Sequence, residues 1–104
     1  MNYIVVLCMI DTYEAAKSIA RTLVESKLAA CVNIVPQITS IYSWKGEIVE
    51  DNEFLLIIKS KSEAYDKLEA KIKELHSYEV PEIIAFDINK GLPEYLRWIE
   101  ENVK

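Results

Sequence analysis

The sequence predicts an α+β domain in which two β-α-β crossovers are joined by a long bent hairpin, with an extra helix at the C-terminus. Three observations carry this. Apolar runs rich in β-branched residues alternate with stretches whose apolar residues recur at helical spacing. The first two helical stretches each open on a capping signal. The second and third extended runs are joined by a short turn at Lys45-Gly46, so they form a hairpin.

The elements follow in order. Tyr3-Ile-Val-Val-Leu-Cys-Met-Ile10 is a continuous apolar run, as expected of a strand central in its sheet or covered on both faces. Asp11 with Glu14 has capping-box spacing. Ala16, Ile19, Ala20, Leu23 and Val24 then line one face of a helix over 12–27. Residues 28–44 read as one extended segment interrupted by Pro36. Proline cannot donate to a ladder, so a bend is expected there. The return strand spans 48–60 and is strongest at Phe54-Leu-Leu-Ile-Ile58. Ser60 and Glu63 make a second capping box, and Ala64, Leu68, Ile72 and Leu75 form the apolar face of the next helix. Residues 76–81 are a loop, and 82–88 alternate as a strand. Gly91 ends that strand, and Pro93 suits the first turn of a last helix carrying Leu96, Ile99 and Val103. The order β-α-β-β-α-β with right-handed crossovers is that of a ferredoxin-like sandwich, with both crossover helices on one face of a four-stranded antiparallel sheet.

Length and composition bound the function. At 104 residues the chain is expected to form one domain, over 1–104, able to build a core without disulfides. It carries 12 Lys and Arg against 17 Asp and Glu, a net charge of −5. An acidic chain without a basic stretch is a poor match to nucleic acid. The first residues, Met1-Asn2-Tyr3, lack a basic leader, and the apolar run after them is too short to span a bilayer. A cytoplasmic protein that engages neither membrane nor nucleic acid is expected. Cys8 and Cys31 have no C-x-x-C spacing and fall in apolar runs, so both are expected as free core thiols.

Little in the sequence points to catalysis. The single histidine, His76, is distant in sequence from either cysteine. No glycine-rich phosphate loop exists; Met9-Ile-Asp-Thr12 stands where an acylphosphatase of this fold would carry one. Tyr42 and Trp44 lie near the tip of the long hairpin, where a small monomer offers no core, and an oligomer interface is expected there.

Three segments together carry a resemblance: Leu28-Ala-Ala-Cys-Val-Asn-Ile-Val-Pro36, Thr39-Ser-Ile-Tyr-Ser-Trp-Lys-Gly-Glu47 and Leu75-His-Ser-Tyr-Glu-Val-Pro-Glu-Ile83. With the closing Pro93-Glu-Tyr-Leu-Arg-Trp-Ile99, they resemble the CutA family of divalent-cation-tolerance proteins over nearly the whole chain. The resemblance implies a non-enzymatic homotrimer held by the long hairpins, similar in assembly to the PII signalling trimers and linked to tolerance of copper and other divalent metal ions. It implies no obligatory cofactor, with copper or another divalent cation as ligand. The family's proposed copper ligands fall on Cys8 and His76, while Leu75 and Ser77 depart from the family pattern. An inter-subunit pocket would draw on Glu47, Lys59, Tyr78, Glu79 and Glu82. The other reading is a PII-like trimeric scaffold that binds a small ligand or a partner protein in clefts between subunits. From topology, His76 is expected at the opposite end of the sheet from Cys8, so that metal binding would need ligands from different subunits or fall at two separate weak sites.

Overall fold

The computed structural model describes residues 2–104; Met1, read above as part of the N-terminus, lies outside them. The elements are β1 (Tyr3–Ile10), α1 (Tyr13–Glu25), β2 (Cys31–Trp44), β3 (Glu47–Lys61), a 3-10 turn (Ser62–Ala64), α2 (Tyr65–Leu75), β4 (Ile83–Asp87) and α3 (Pro93–Asn102). The strands form one sheet in the order β2-β3-β1-β4, every neighbouring pair antiparallel.

β1 is apolar throughout because it is central, but its two faces differ. Ile4, Val6, Cys8 and Ile10 are buried and pack with Ala16, Ile19 and Leu23 of α1 and Leu68 and Ile72 of α2. The intervening residues face the other side. Directly paired residues share a face, so Phe86, Val5, Lys59 and Cys31 form one row there. Ile84, Leu7, Ile57 and Asn33 form the next, and Met9, Leu55 and Val35 a third. No helix covers these three rows, where Phe86 is 55% exposed and Ile84 46%; only the end of this face, at Tyr3 and Lys61, meets α3. α3 instead closes the end of the sheet where β1 begins. Ile99 and Val103 pack there with Ala30 and Ala64, and Lys61 Nζ donates to Glu100 Oε2 at 2.9 Å.

The hairpin bends where Pro36 interrupts it. The β2–β3 register shifts between Val35 and Ile38, and Gln37 takes a φ of 62°. The shift spans three steps on β2 and two on β3, the signature of a bulge with one extra residue. It also swaps faces: beyond it, Ile38, Ser40 and Tyr42 share the face that Cys31, Asn33 and Val35 hold before it. Lys45 (φ 50°) and Gly46 (φ 82°) close the hairpin in the doubly left-handed turn that matches strand twist. β1 pairs only with residues 54–61 of β3, so the far half of the hairpin projects past the sheet.

Two caps differ from expectation. The α1 cap is Thr12, which accepts from the Ala15 N–H at 3.1 Å, so Asp11 and Glu14 do not form a capping box. Glu14 still stands in the first turn, where a carboxylate suits the helix dipole. Ser60 caps nothing. It belongs to β3, is fully buried, and donates to the Leu28 carbonyl at 2.7 Å. The chain instead reaches α2 through the 3-10 turn, and α2 has no side-chain cap. Leu75, expected in the core, is 40% exposed at the end of α2.

Candidate functional site

The site is assembled where β1 and α2 end. β3 runs antiparallel to β1, so it finishes beside the start of β1, and α2 then runs back toward the end of β1. His76 therefore arrives at the same end of the sheet as Cys8. The expectation of opposite ends is corrected: β4 is antiparallel to β1, so its start, into which the loop after His76 leads, lies beside the end of β1, with Ile83 paired to Cys8.

His76 is held from both ring nitrogens. Nε2 lies 2.6 Å from the Met9 carbonyl, which only accepts, so Nε2 carries the proton. Nδ1 accepts from the Tyr78 N–H at 3.1 Å. The ring is thus a neutral tautomer that ties the end of α2 to the end of β1 and sets the loop that follows. Tyr78 packs against it with ring centroids 4.7 Å apart. Tyr78 Oη then reaches across and donates to Glu53 Oε2 at 2.6 Å. Burial, followed by the hydrogen bond to Glu53, pushes the Tyr78 phenol far above its usual range.

Glu53 stands on β3 in line with Leu55 and is only 6% exposed. Two residues toward the hairpin tip, Asp51 accepts from Tyr42 Oη. That bond raises the Tyr42 phenol to about 12, with desolvation adding less. Tyr42, Trp44, Met9 and Glu53 form one side of a cavity of about 430 Å³, and Tyr78, Glu79, Val80 and Glu82 form the other. At its rim Lys45 Nζ lies 3.8 Å from Glu79 and 5.6 Å from the centre of the Trp44 ring. The hairpin tip and the loop after α2 thus face each other across an acidic, aromatic-walled space.

The residues singled out from sequence fall into two groups. Tyr78, Glu79 and Glu82 line the cavity, together with Tyr42 and Trp44, each of which remains 39% exposed. Glu47 and Lys59 do not line it: Glu47 pairs with Trp44 beside the turn, and Lys59 lies in the Val5–Cys31 row of the uncovered face, bonded to Asn33. Glu53 was missed. Its signal was alternation, because a carboxylate two residues before Leu55 and four before Ile57 shares their apolar face.

The two candidate metal ligands are near one another without forming a preorganised site. Cys8 is fully buried, and burial, with smaller contributions from Glu82 and Glu53, pushes its thiol up to about 12. Both nitrogens of His76 are engaged. Among the described residues no group of three or more His, Cys, Asp and Glu side chains is placed to hold a metal ion. As they stand, these residues do not fit a resident metal. Cys8 and Cys31 are both free thiols, on strands separated by β3.

Fold and site together define a small α+β protein with a four-stranded antiparallel sheet, three helices and an acidic cavity at one end. The sequence profile of the CutA1 divalent ion tolerance protein family matches residues 4–102, and the chain belongs to that family. It is 54% identical over 98 residues to the divalent-cation tolerance protein CutA of Thermus thermophilus, covering 94% of this chain and 95% of that one. A CutA homolog of Xenopus laevis is 52% identical over 98 residues, and the match spans only 64% of that longer protein. The solved structure of the Thermus thermophilus protein Cut A1 superimposes with a TM-score of 0.96 at 52% identity, covering 98% of this chain and 99% of that one. CutA1 from Oryza sativa gives 0.97 at 42% identity, covering 100% and 95%. No helix among the described residues is long and apolar enough to cross a membrane.

Proposed function

We propose that the chain acts in divalent-cation tolerance as a non-catalytic, cytoplasmic homotrimer of ferredoxin-like subunits. The observation that carries the assembly is the sheet face without a helix layer. Its rows place Val5, Leu7, Leu55, Ile57, Ile84 and Phe86 side by side with no helix over them, and Ile84 and Phe86 stand about half exposed. A second copy is the natural cover, because the projecting hairpin offers unpaired strand edge beside the same face. The acidic balance of the chain favours cations over anions around the assembly.

Copper or another divalent cation is the ligand the family membership favours, with His76 and Cys8 as the residues to test. Imidazole suits copper(II) and thiolate suits copper(I). His76 binds a metal only by giving up Met9 or Tyr78, and the Cys8 thiol must be exposed and deprotonated. Binding is therefore weak and accompanied by loop movement. The test is copper titration of the wild type beside His76→Ala and Cys8→Ala. Weakening in at least one variant is expected; unchanged isotherms in both reject these ligands.

A second reading is a trimeric scaffold of the PII-like kind that takes a small ligand at this end of the subunit. The cavity between the hairpin tip and the loop after α2 favours it, being the size of a small-molecule site and already formed.

A further inference from the structure

The polar surface of the cavity consists almost entirely of acceptors. Tyr78 and Tyr42 spend their hydroxyl protons on Glu53 and Asp51, so their oxygens offer only lone pairs to the space beside them. Glu53, Glu79 and Glu82 contribute carboxylates. Glu53 is nearly buried, and its carboxylate's one hydrogen bond among the described residues comes from Tyr78. The cation at the rim is Lys45, which already shows the chemistry the walls accept: an ammonium between a carboxylate, Glu79, and an aromatic face, Trp44.

Three ligand classes can be weighed against this surface. An anion such as a phosphate, nucleotide or carboxylate meets three carboxylates, with only Lys45 to offset them. A bare metal ion finds no convergent ligand set among the described residues, and about 430 Å³ is a volume for a molecule rather than an ion. An ammonium carried on an apolar body matches both features. Its N–H groups meet acceptors, and its carbon skeleton meets Met9, Val80 and Trp44.

We propose that this cavity binds a small organic amine in its protonated form, with the ammonium directed at Glu53 and the apolar body held under the hairpin tip. The proposal rests on the reading of this end of the subunit as a small-ligand site and names the ligand's class. Attraction to a partly buried carboxylate is screened less than attraction between exposed charges, so Glu53 supplies most of the selectivity and Glu79 less.

The test is calorimetric titration of the full chain with phenethylamine, phenethyl alcohol and hydrocinnamate, which share one apolar body, and with putrescine as an aliphatic amine. At least one amine is expected to bind, with affinity falling as salt rises, while the alcohol and the carboxylate bind far more weakly. Glu53→Gln keeps the side-chain shape and should weaken amine binding about tenfold or more. Glu79→Gln, at an exposed position, serves as a second variant whose folding is not at risk and should weaken it less. Tighter binding of the alcohol or the carboxylate overturns the ammonium assignment and leaves the cavity as a ligand site. Absence of binding by every probe at millimolar concentration overturns both the assignment and the scaffold reading. Amine binding unchanged in both variants overturns the placement at Glu53.

Discussion

Ser60 ends a strand rather than opening a helix, and its buried hydroxyl holds the Leu28 carbonyl. Ser60→Ala leaves that acceptor without its donor and should cost about 1–3 kcal/mol in urea unfolding, the range for a buried group left unpaired. A cost near zero would mean that water or a neighbouring donor replaces the hydroxyl. Cys8 allows a second check at this scale. Its thiol is raised from 9.0 to about 12 in the folded chain, so the folded state favours the protonated form. The resulting stabilisation is fully present below about pH 9 and is lost as pH rises toward 12. Native protein at neutral pH should therefore leave Cys8 unlabelled by a thiol reagent that modifies it readily once unfolded. Rapid native labelling of Cys8 would contradict its place in the core. Sequence alone made Cys8 a core residue through its position in an apolar run. It did not show that Glu53 meets Tyr78, because that contact joins residues 25 apart through the loop after α2.

Capping shows what an element's sequence leaves open. Asp11 and Thr12 are both capping residues, and a one-residue choice depends on how β1 hands the chain to α1. The structure chooses Thr12. Thr12→Ala should cost about 1 kcal/mol, whereas Asp11→Ala should be close to neutral; urea midpoints for the pair decide between them. At its other end α1 closes in a Schellman motif. Leu28 N–H reaches the Leu23 carbonyl at 2.9 Å and Lys27 N–H the Val24 carbonyl at 3.1 Å. Lys27 adopts the left-handed conformation there, with φ 60°, at a position that favours glycine. Lys27→Gly should stabilise the chain by about 1 kcal/mol, since a left-handed residue with a Cβ costs roughly that much. Element order, the Pro36 bend and the Lys45-Gly46 turn were all legible, because each is written in local residue chemistry. The end of the sheet at which His76 arrives was not, because it follows from strand directions across the whole sheet.

At the scale of the molecule, the helix-covered face of the sheet and the uncovered one are both strongly apolar. Phe86 and Ile84 on β4, at the edge of the sheet, are about half exposed in one chain. The hairpin extends beyond β1 by the seven residues of β3 from Glu47 to Glu53, which pair only with β2. In the proposed trimer, further copies would bury such a face and pair with the free edge of the projecting hairpin. The measurement that tests this most directly is sedimentation equilibrium of the chain at micromolar concentration. A single species of three times the 12.0 kDa chain mass is predicted, with Phe86→Glu shifting it toward monomer. A wild-type monomer of 12.0 kDa under those conditions would contradict it.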